Sequence, residues 1–232
     1  MKKIVVLTGA GISAESGIKT FRDSGGLWEE HDVMDVASID GWHRNKELVL
    51  NFYNERRKQL ATVVPNAAHK ALAELETAYE VIIVTQNVDD LHERGGSTNI
   101  IHLHGELKKV RSVVHDQLIY DRDKDIQLGD TCEKGTQLRP HIVWFGEAVP
   151  MLEQAAIAVS EADIILVVGT SMQVYPAASL VGYAPPFCPV YYIDPYPTIN
   201  YELGSRKNLT IMEEKATVGV PKVLEELMKN EK

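Results

Sequence analysis

Cysteine is scarce in this 232-residue sequence: Cys132 and Cys188 are the only two. Two thiols cannot build a disulfide framework, and so small a set fits a reducing compartment. A basic surplus is missing too. Twenty-four Lys and Arg against 33 Asp and Glu give a formal net charge of −9, which disfavours a nucleic-acid backbone as a general partner. The run Lys-Lys-Val-Arg at 108–111 is a local exception. No apolar run is long enough to cross a bilayer. The opening MKKIVVLTGA imitates a signal peptide, but its apolar part is too short, and Gly11, Ser13, Glu15 and Ser16 follow at once. Internal repeats and low-complexity tracts are also lacking. These absences describe a soluble cytoplasmic protein with neither a membrane nor a nucleic acid as partner; its oligomeric state is left open.

Short apolar runs without polar alternation recur instead: KIVVLT from Lys3, VIIVT from Val81, NIIHLH from Asn99, DIILVVG from Asp163 and PVYYID from Pro189, with NLTIM from Asn208 weaker. Continuous Val/Ile runs mean strands buried on both faces, as in a parallel sheet covered by helices. Helical patterns at 66–77 (Asn66 as N-cap), 151–161 and 219–229 alternate with them. The fold class is therefore α/β, a Rossmann-like doubly wound parallel sheet. Two stretches break the alternation. Residues 20–65 offer a Gly/Ser/Asp loop and helical pattern without a strand. Residues 105–139 are polar, with QLIY and DIQL flanking the turn DRDKD as an expected hairpin. The reading is one catalytic domain, 1–232. Its core is 1–19, 66–104 and 140–232, and insertions 20–65 and 105–139 form a smaller module.

Polar residues gather after the C-terminal ends of the strands. LTGAGISAESG gives Gly9-x-Gly11-x-x-Ala14 after the first; QNVDD follows Thr85, His104-Gly105 follows Leu103, Gly169-Thr170-Ser171 follows Val168, and Asp194 follows Ile193. In an open parallel sheet these ends share one edge, where ligands bind. Glycines there let a backbone approach a pyrophosphate. A nucleotide-handling site follows. A hydride-transferring dehydrogenase would need a second strand soon after the first helix, ending in an acid for the ribose. The chain supplies KTFRDSGGLWEE instead, and Asp23 and Asp32 have no strand before them.

GAGISAESGIKTFRDSGGLW, TQNVDDLHERGG, HLHGEL, RPHIVWFGE and VVGTSMQVYP occur in this order across nearly the whole chain. Their sequence and spacing resemble the sirtuins, NAD-dependent protein lysine deacylases. The resemblance implies that NAD is consumed. The acyl oxygen of a modified lysine attacks C1′ of the nicotinamide ribose, nicotinamide leaves, and a histidine acts as general base on a ribose hydroxyl, giving free lysine and O-acyl-ADP-ribose. The residues alone leave His102 and His104 as equal candidates on one strand side. The resemblance selects His104, with Asn87 and Asp89 as catalytic partners. It further implies cofactor contacts at Gly9, Ala10, Gly11, Ile12, Ser13, Ser16, Phe21, Arg22, Trp28, Gln86, Asn87, Val88, Asp89, Gly169, Thr170, Ser171, Asp194 and Ala216. Asp194 stands where the family usually has asparagine. Val143, Phe145, Gly146, Glu147 and Val174 would hold the substrate peptide as an added strand. The remaining histidines, His31, His43, His69, His92, His102 and His141, read as structural.

Two family features take a particular form here. Sirtuins usually bind a structural zinc through two CxxC pairs, which fall at Ser112/His115 and Cys132/Gly135. Only His115 and Cys132 are ligands of the right kind, so no zinc is expected. The stretch FYNER places Tyr53 and Arg56 three apart on one helix face. By itself this could be a solvated surface. Similarity to class III (desuccinylase/demalonylase-like) bacterial sirtuins implies that the pair faces the acyl-lysine tunnel. A guanidinium fork and a phenol there suit the carboxylate of a succinyl or malonyl group. The expected activity is NAD-dependent removal of succinyl and malonyl, and more weakly acetyl, from protein lysines. A non-catalytic NAD or ADP-ribose binding module and a protein ADP-ribosyltransferase are the alternatives.

Overall fold

Ile4, Val5 and Val6 have no exposed surface at all. A strand buried on both faces needs a cover on each side, and the chain provides it. The computed structural model describes residues 1–19, 27–28 and 31–230, with only the backbone at 27, 28 and 230. Phe21 and Arg22, and the side chain of Trp28, lie outside the described residues. Strand β1 (Lys3–Thr8) turns into α1 (Ala10–Ala14). A two-residue ribbon, β2 (Leu27–Trp28) with β3 (His31–Asp32), precedes α2 (Val33–Val36), α3 (Ile39–Arg44), α4 (Lys46–Leu60) and α5 (Ala67–Leu75). Next come β4 (Glu80–Thr85), α6 (Leu91–Gly95), β5 (Ile100–His102), β6 (Gly105–Ser112), β7 (Ile119–Asp121) and β8 (Leu138–Ile142). Helix α7 (Leu152–Ser160), β9 (Ile164–Val168), a 3-10 helix Ala177–Tyr183, β10 (Val190–Ile193), α8 (Tyr201–Gly204), β11 (Leu209–Met212) and α9 (Ala216–Asn230) complete the chain.

The six apolar runs form one sheet in the order β11-β10-β9-β1-β4-β5, every neighbouring pair parallel. This is the doubly wound order, with the chain reversing direction across the sheet between β1 and β9. Side-chain alternation builds two cores. Val5 and Leu7 face α7 and the 3-10 helix, whereas Ile4 and Val6 face α5 and α9. The start of α5 is fixed by a capping box: Asn66 Oδ1 accepts from Ala68 N–H at 2.9 Å, and His69 Nδ1 accepts from Asn66 N–H at 3.3 Å.

A smaller antiparallel sheet, β7-β6-β8, shares a third core with α4: Leu50, Phe52 and Tyr53 pack with Leu107, Val110, Ile126 and Trp144. Two expectations need correction. Residues 20–65 do contain strand, the short β2–β3 ribbon. The expected hairpin across DRDKD does not form; β7 pairs with β6, Arg111 opposite Ile119. DIQL is not a strand because the Asn54 side chain satisfies both backbone groups of Ile126, each at 2.9 Å, in place of a ladder. The small sheet continues to Ile142, two residues past the expected start of the core segment at 140.

Candidate active site

The parallel strands end on one edge, and the turn at the switch point is built by mutual contact. Gly11 N–H donates to Gly169 O at 2.8 Å and Gly9 N–H to Val168 O at 3.1 Å. A Cβ on Gly11 would lie 2.7 Å from Gly169 Cα, and one on Gly169 (φ +60°) 2.2 Å from Ile12 N. The glycines therefore let two strand-end turns touch one another. Gln86 bridges the same gap from β4, its Nε2 donating to Thr170 Oγ1 at 3.1 Å. Ser171 is half-buried beside it.

Beneath the turn runs a buried polar chain. Asn87 Nδ2 donates to Gly9 O (3.1 Å) and to Ser13 Oγ (3.2 Å), and Ser13 Oγ donates to Asp89 Oδ2 (3.0 Å). Asp89 Oδ1 accepts from Leu91 N–H at 3.1 Å. Burial pushes the Asp89 carboxyl up to about 6 despite these donors. Asn87 commits its amide nitrogen inward, so its Oδ1 remains the acceptor.

His104 follows at the end of β5. Its Nδ1 lies 3.1 Å from Gln86 O, and a carbonyl only accepts, so Nδ1 carries the proton and Nε2 is the basic atom. Burial lowers its pKa below the ordinary imidazole value, leaving it neutral near pH 7. The next residue must be glycine: Gly105 has φ +83°, and a Cβ would stand 2.0 Å from His141 O. His102 is not beside His104 functionally. Its Nε2 pairs with Glu93 at 2.6 Å, and although burial opposes it, that pairing raises the His102 pKa.

The side chains of several expected contact residues are engaged within the protein. The Ile12 side chain has no exposed surface and packs in the α5–α9 core, as does Ala216. Ser16 Oγ accepts from Asn66 Nδ2 at 3.0 Å, tying α1 to α5. Val88 packs against the small-module core, and its carbonyl accepts from Leu107 N–H. Asp194 is buried, its Oδ1 accepting from Tyr196 N–H at 2.8 Å within its own turn. Glu147 is taken up by arginines: Arg139 holds both oxygens (2.6 and 3.0 Å), Arg111 approaches at 3.1 Å, and Trp144 N–H adds 2.8 Å. Its carboxylate is thus engaged within the protein, and a peptide added as a strand would meet the main chain here. Phe145 is 46% exposed and Val174 40%, while Val143 N–H is bound to His104 O and Gly146 turns the chain at φ +91°.

Tyr53 and Arg56 both pack against Phe52, the Tyr53 ring 5.1 Å and the Arg56 guanidinium 5.3 Å from its centre. Tyr53 is fully enclosed, and its hydroxyl accepts from Trp144 Nε1 at 2.9 Å. The Arg56 guanidinium lines a cavity of about 180 Å³ with His31, Leu48 and Phe52. Trp144, Arg139 and Arg111 escaped notice in the sequence. The opposite charges of Arg139 and Glu147 at the two ends of RPHIVWFGE were the available signal.

The donor set fits a nicotinamide-bearing dinucleotide: an amide oxygen and a buried acid for a carboxamide, hydroxyls for ribose, and a glycine turn at the switch point. It does not fit zinc. Ser112 Oγ meets Thr136 Oγ1 at 2.7 Å, which meets Cys132 Sγ at 3.1 Å, so hydrogen bonds occupy the place of the metal pairs. Among the described residues, the group of three metal-type ligands close together is Glu93, His102 and Glu106, away from those positions.

Residues 9–176 match the Sir2 family. An NAD-dependent protein deacylase of Helicobacter pylori (strain ATCC 700392 / 26695) is 61% identical over 195 residues, 84% of this chain and 85% of that protein. A Sir2 homologue–NAD complex aligns with a TM-score of 0.88 at 37% identity, covering 100% of this chain and 91% of that one. A Sir2 bound to acetylated peptide aligns at 0.78 and 30% identity, covering 97% and 93%. The chain belongs to the Sir2 family.

Proposed function

We infer that this chain is an NAD-dependent deacylase of protein lysine side chains, acting best on acyl groups that end in a carboxylate. The observation that carries the activity is the buried chain Asn87–Ser13–Asp89 beside a histidine whose Nδ1 is tied to Gln86. When bound, NAD supplies a glycosidic bond whose nicotinamide is a good leaving group. Asn87 and Asp89 would bind its carboxamide and exclude bulk water. His104 would accept a ribose hydroxyl proton at Nε2, the role for which a neutral imidazole is suited. Phe145 and Val174, both exposed, would flank the substrate polypeptide. Arg56 supports the acidic-acyl preference, since a terminal carboxylate entering beside it would gain a charge-assisted partner. We assign the protein to the cytoplasm, in keeping with two free thiols, and to a zinc-free form.

A panel of acetyl, malonyl and succinyl peptides with and without NAD tests this. Nicotinamide release coupled to loss of the acyl group is expected, fastest on the acidic acyl groups. Nicotinamide release without acyl loss, or label passing from NAD to protein, would point to another activity.

A further inference from the structure

We propose that Arg111 is a positioning residue for the substrate polypeptide, acting through Glu147 on the turn that carries Phe145. This rests on the reading that Phe145 flanks the substrate. Arg111 lies on β6 directly opposite Arg139 on β8, and both reach across to Glu147, beyond the end of β8. The carboxylate therefore takes hydrogen bonds from two guanidiniums and from Trp144 N–H. Burial would raise the pKa of Glu147, but Arg139 and Arg111 hold it below the ordinary carboxyl value, so it stays ionised. Arg139 also donates to Ile142 O at 2.9 Å and stacks 3.3 Å from the centre of the Trp144 ring. Three positions of one turn, 142, 144 and 147, are thus gripped from the small sheet.

That turn joins separate parts of the molecule. Phe145 N–H donates to Ala37 O at 2.9 Å, Phe145 O accepts from Ile39 N–H, and Val143 N–H donates to the carbonyl of His104. The half-exposed Phe145 ring is therefore set relative to the general base by whatever fixes this turn. Arg139 alone already satisfies Glu147 in bidentate fashion. Arg111, 12% exposed, adds the link to β6, and removing it leaves the carboxylate paired. Substrate geometry is then the property that depends on Arg111, because small displacements of a binding surface weaken binding before they unfold a protein.

Steady-state kinetics of the full-length Arg111→Met, Arg111→Lys and Phe145→Ala variants with one succinyl peptide test this. For Arg111→Met we expect the peptide KM to rise about tenfold with kcat within about twofold, the pattern of lost uniform binding. NAD-induced thermal stabilisation should be unchanged, and Arg111→Lys should recover part of the KM. If Phe145→Ala raises the peptide KM and Arg111→Met does not, the positioning role is overturned while the substrate reading survives. If Phe145→Ala leaves the KM alone, the substrate reading fails and takes this inference with it. A fall in kcat together with a lost NAD response in Arg111→Met would mean that Arg111 supports the fold, which also overturns it.

Discussion

Asp89 holds a charge where burial resists one. Its carboxyl is 5% exposed and titrates near 6 rather than 3.8, so the folded state disfavours the ionised form that prevails at neutral pH. A two-unit rise corresponds to about 3 kcal/mol against folding at pH 7. Asp89→Asn should therefore stabilise the protein by about 1–3 kcal/mol in urea unfolding at pH 7.5, since the amide still accepts from Ser13 or Leu91 without the charge. Nicotinamide release should collapse in the same variant. A destabilised Asp89→Asn would show that the two donors outweigh the burial cost. At His104 the expectation is reversed: His104→Ala should cost deacylation about a hundredfold or more, the usual worth of a general base, with NAD still binding. Retained turnover would move the base to His102, although its ion pair with Glu93 argues otherwise. Arg56→Met should raise the succinyl barrier by about 2–5 kcal/mol, the scale for orphaning a buried charge, and leave acetyl turnover nearly as it was. Equal losses on both substrates would reduce Arg56 to packing on Phe52.

Between elements, the small module is held by hydroxyls where a metal might be looked for. Ser112 is fully buried; its Oγ accepts from Val114 and His115 N–H and pairs with Thr136, which in turn pairs with Cys132. The Thr136 contact is the main reason the Cys132 thiol falls to about 7. Thr136→Val should destabilise the protein by about 1–3 kcal/mol, the cost of an unsatisfied buried hydroxyl. It should also move Cys132 alkylation by a thiol reagent to higher pH. Unchanged reactivity would mean that the backbone contacts alone set the thiol. The elements differ in how legible they were. The six sheet strands could be read from sequence because burial on both faces leaves an uninterrupted apolar run. The small sheet could not: the burial pattern of β6 breaks at 108–109, where its register with β8 shifts, and Ile126 looks strand-like but is satisfied by a side chain 72 residues away. The site divided in the same way. Gly9, Asn87, Asp89 and His104 stand in the polar turns at strand ends that the sequence shows, but choosing His104 over His102 took the family resemblance, because both histidines fall on one side of the strand. The engagement of Glu147 by Arg111 and the capping of Tyr53 by Trp144 depend on long-range packing and carry no local pattern.

Across the whole molecule, acid sensitivity is set by buried imidazoles that the fold keeps neutral. His69 and His92 pack edge to face, ring centres 5.0 Å apart, with His92 Nε2 3.0 Å from Thr8 Oγ1 just before the glycine turn. Burial lowers His69 from 6.5 to about 4 and His92 well below its ordinary value. Below pH 6.5 the unfolded chain therefore takes up protons that the folded chain refuses, and stability falls as the pH drops from 6.5 toward 4. His69 alone accounts for about 3 kcal/mol of this loss. Asp89 works in the opposite direction. Its folded pKa near 6 exceeds 3.8, so the fold regains stability as the pH falls across that interval. His69 and Asp89 nearly cancel, and His92, His104 and His141, all lowered chiefly by burial, tip the balance toward acid destabilisation. Urea unfolding of wild type and Asp89→Asn at pH 7.5, 6.5, 5.5 and 4.5 separates the contributions. The variant should lead by most at pH 7.5, and its advantage should close as Asp89 becomes protonated in the wild type. It should also lose stability on acidification more steeply than the wild type, because the histidines then act unopposed. Parallel curves for the two proteins would show that Asp89 is not the group that buffers the histidines.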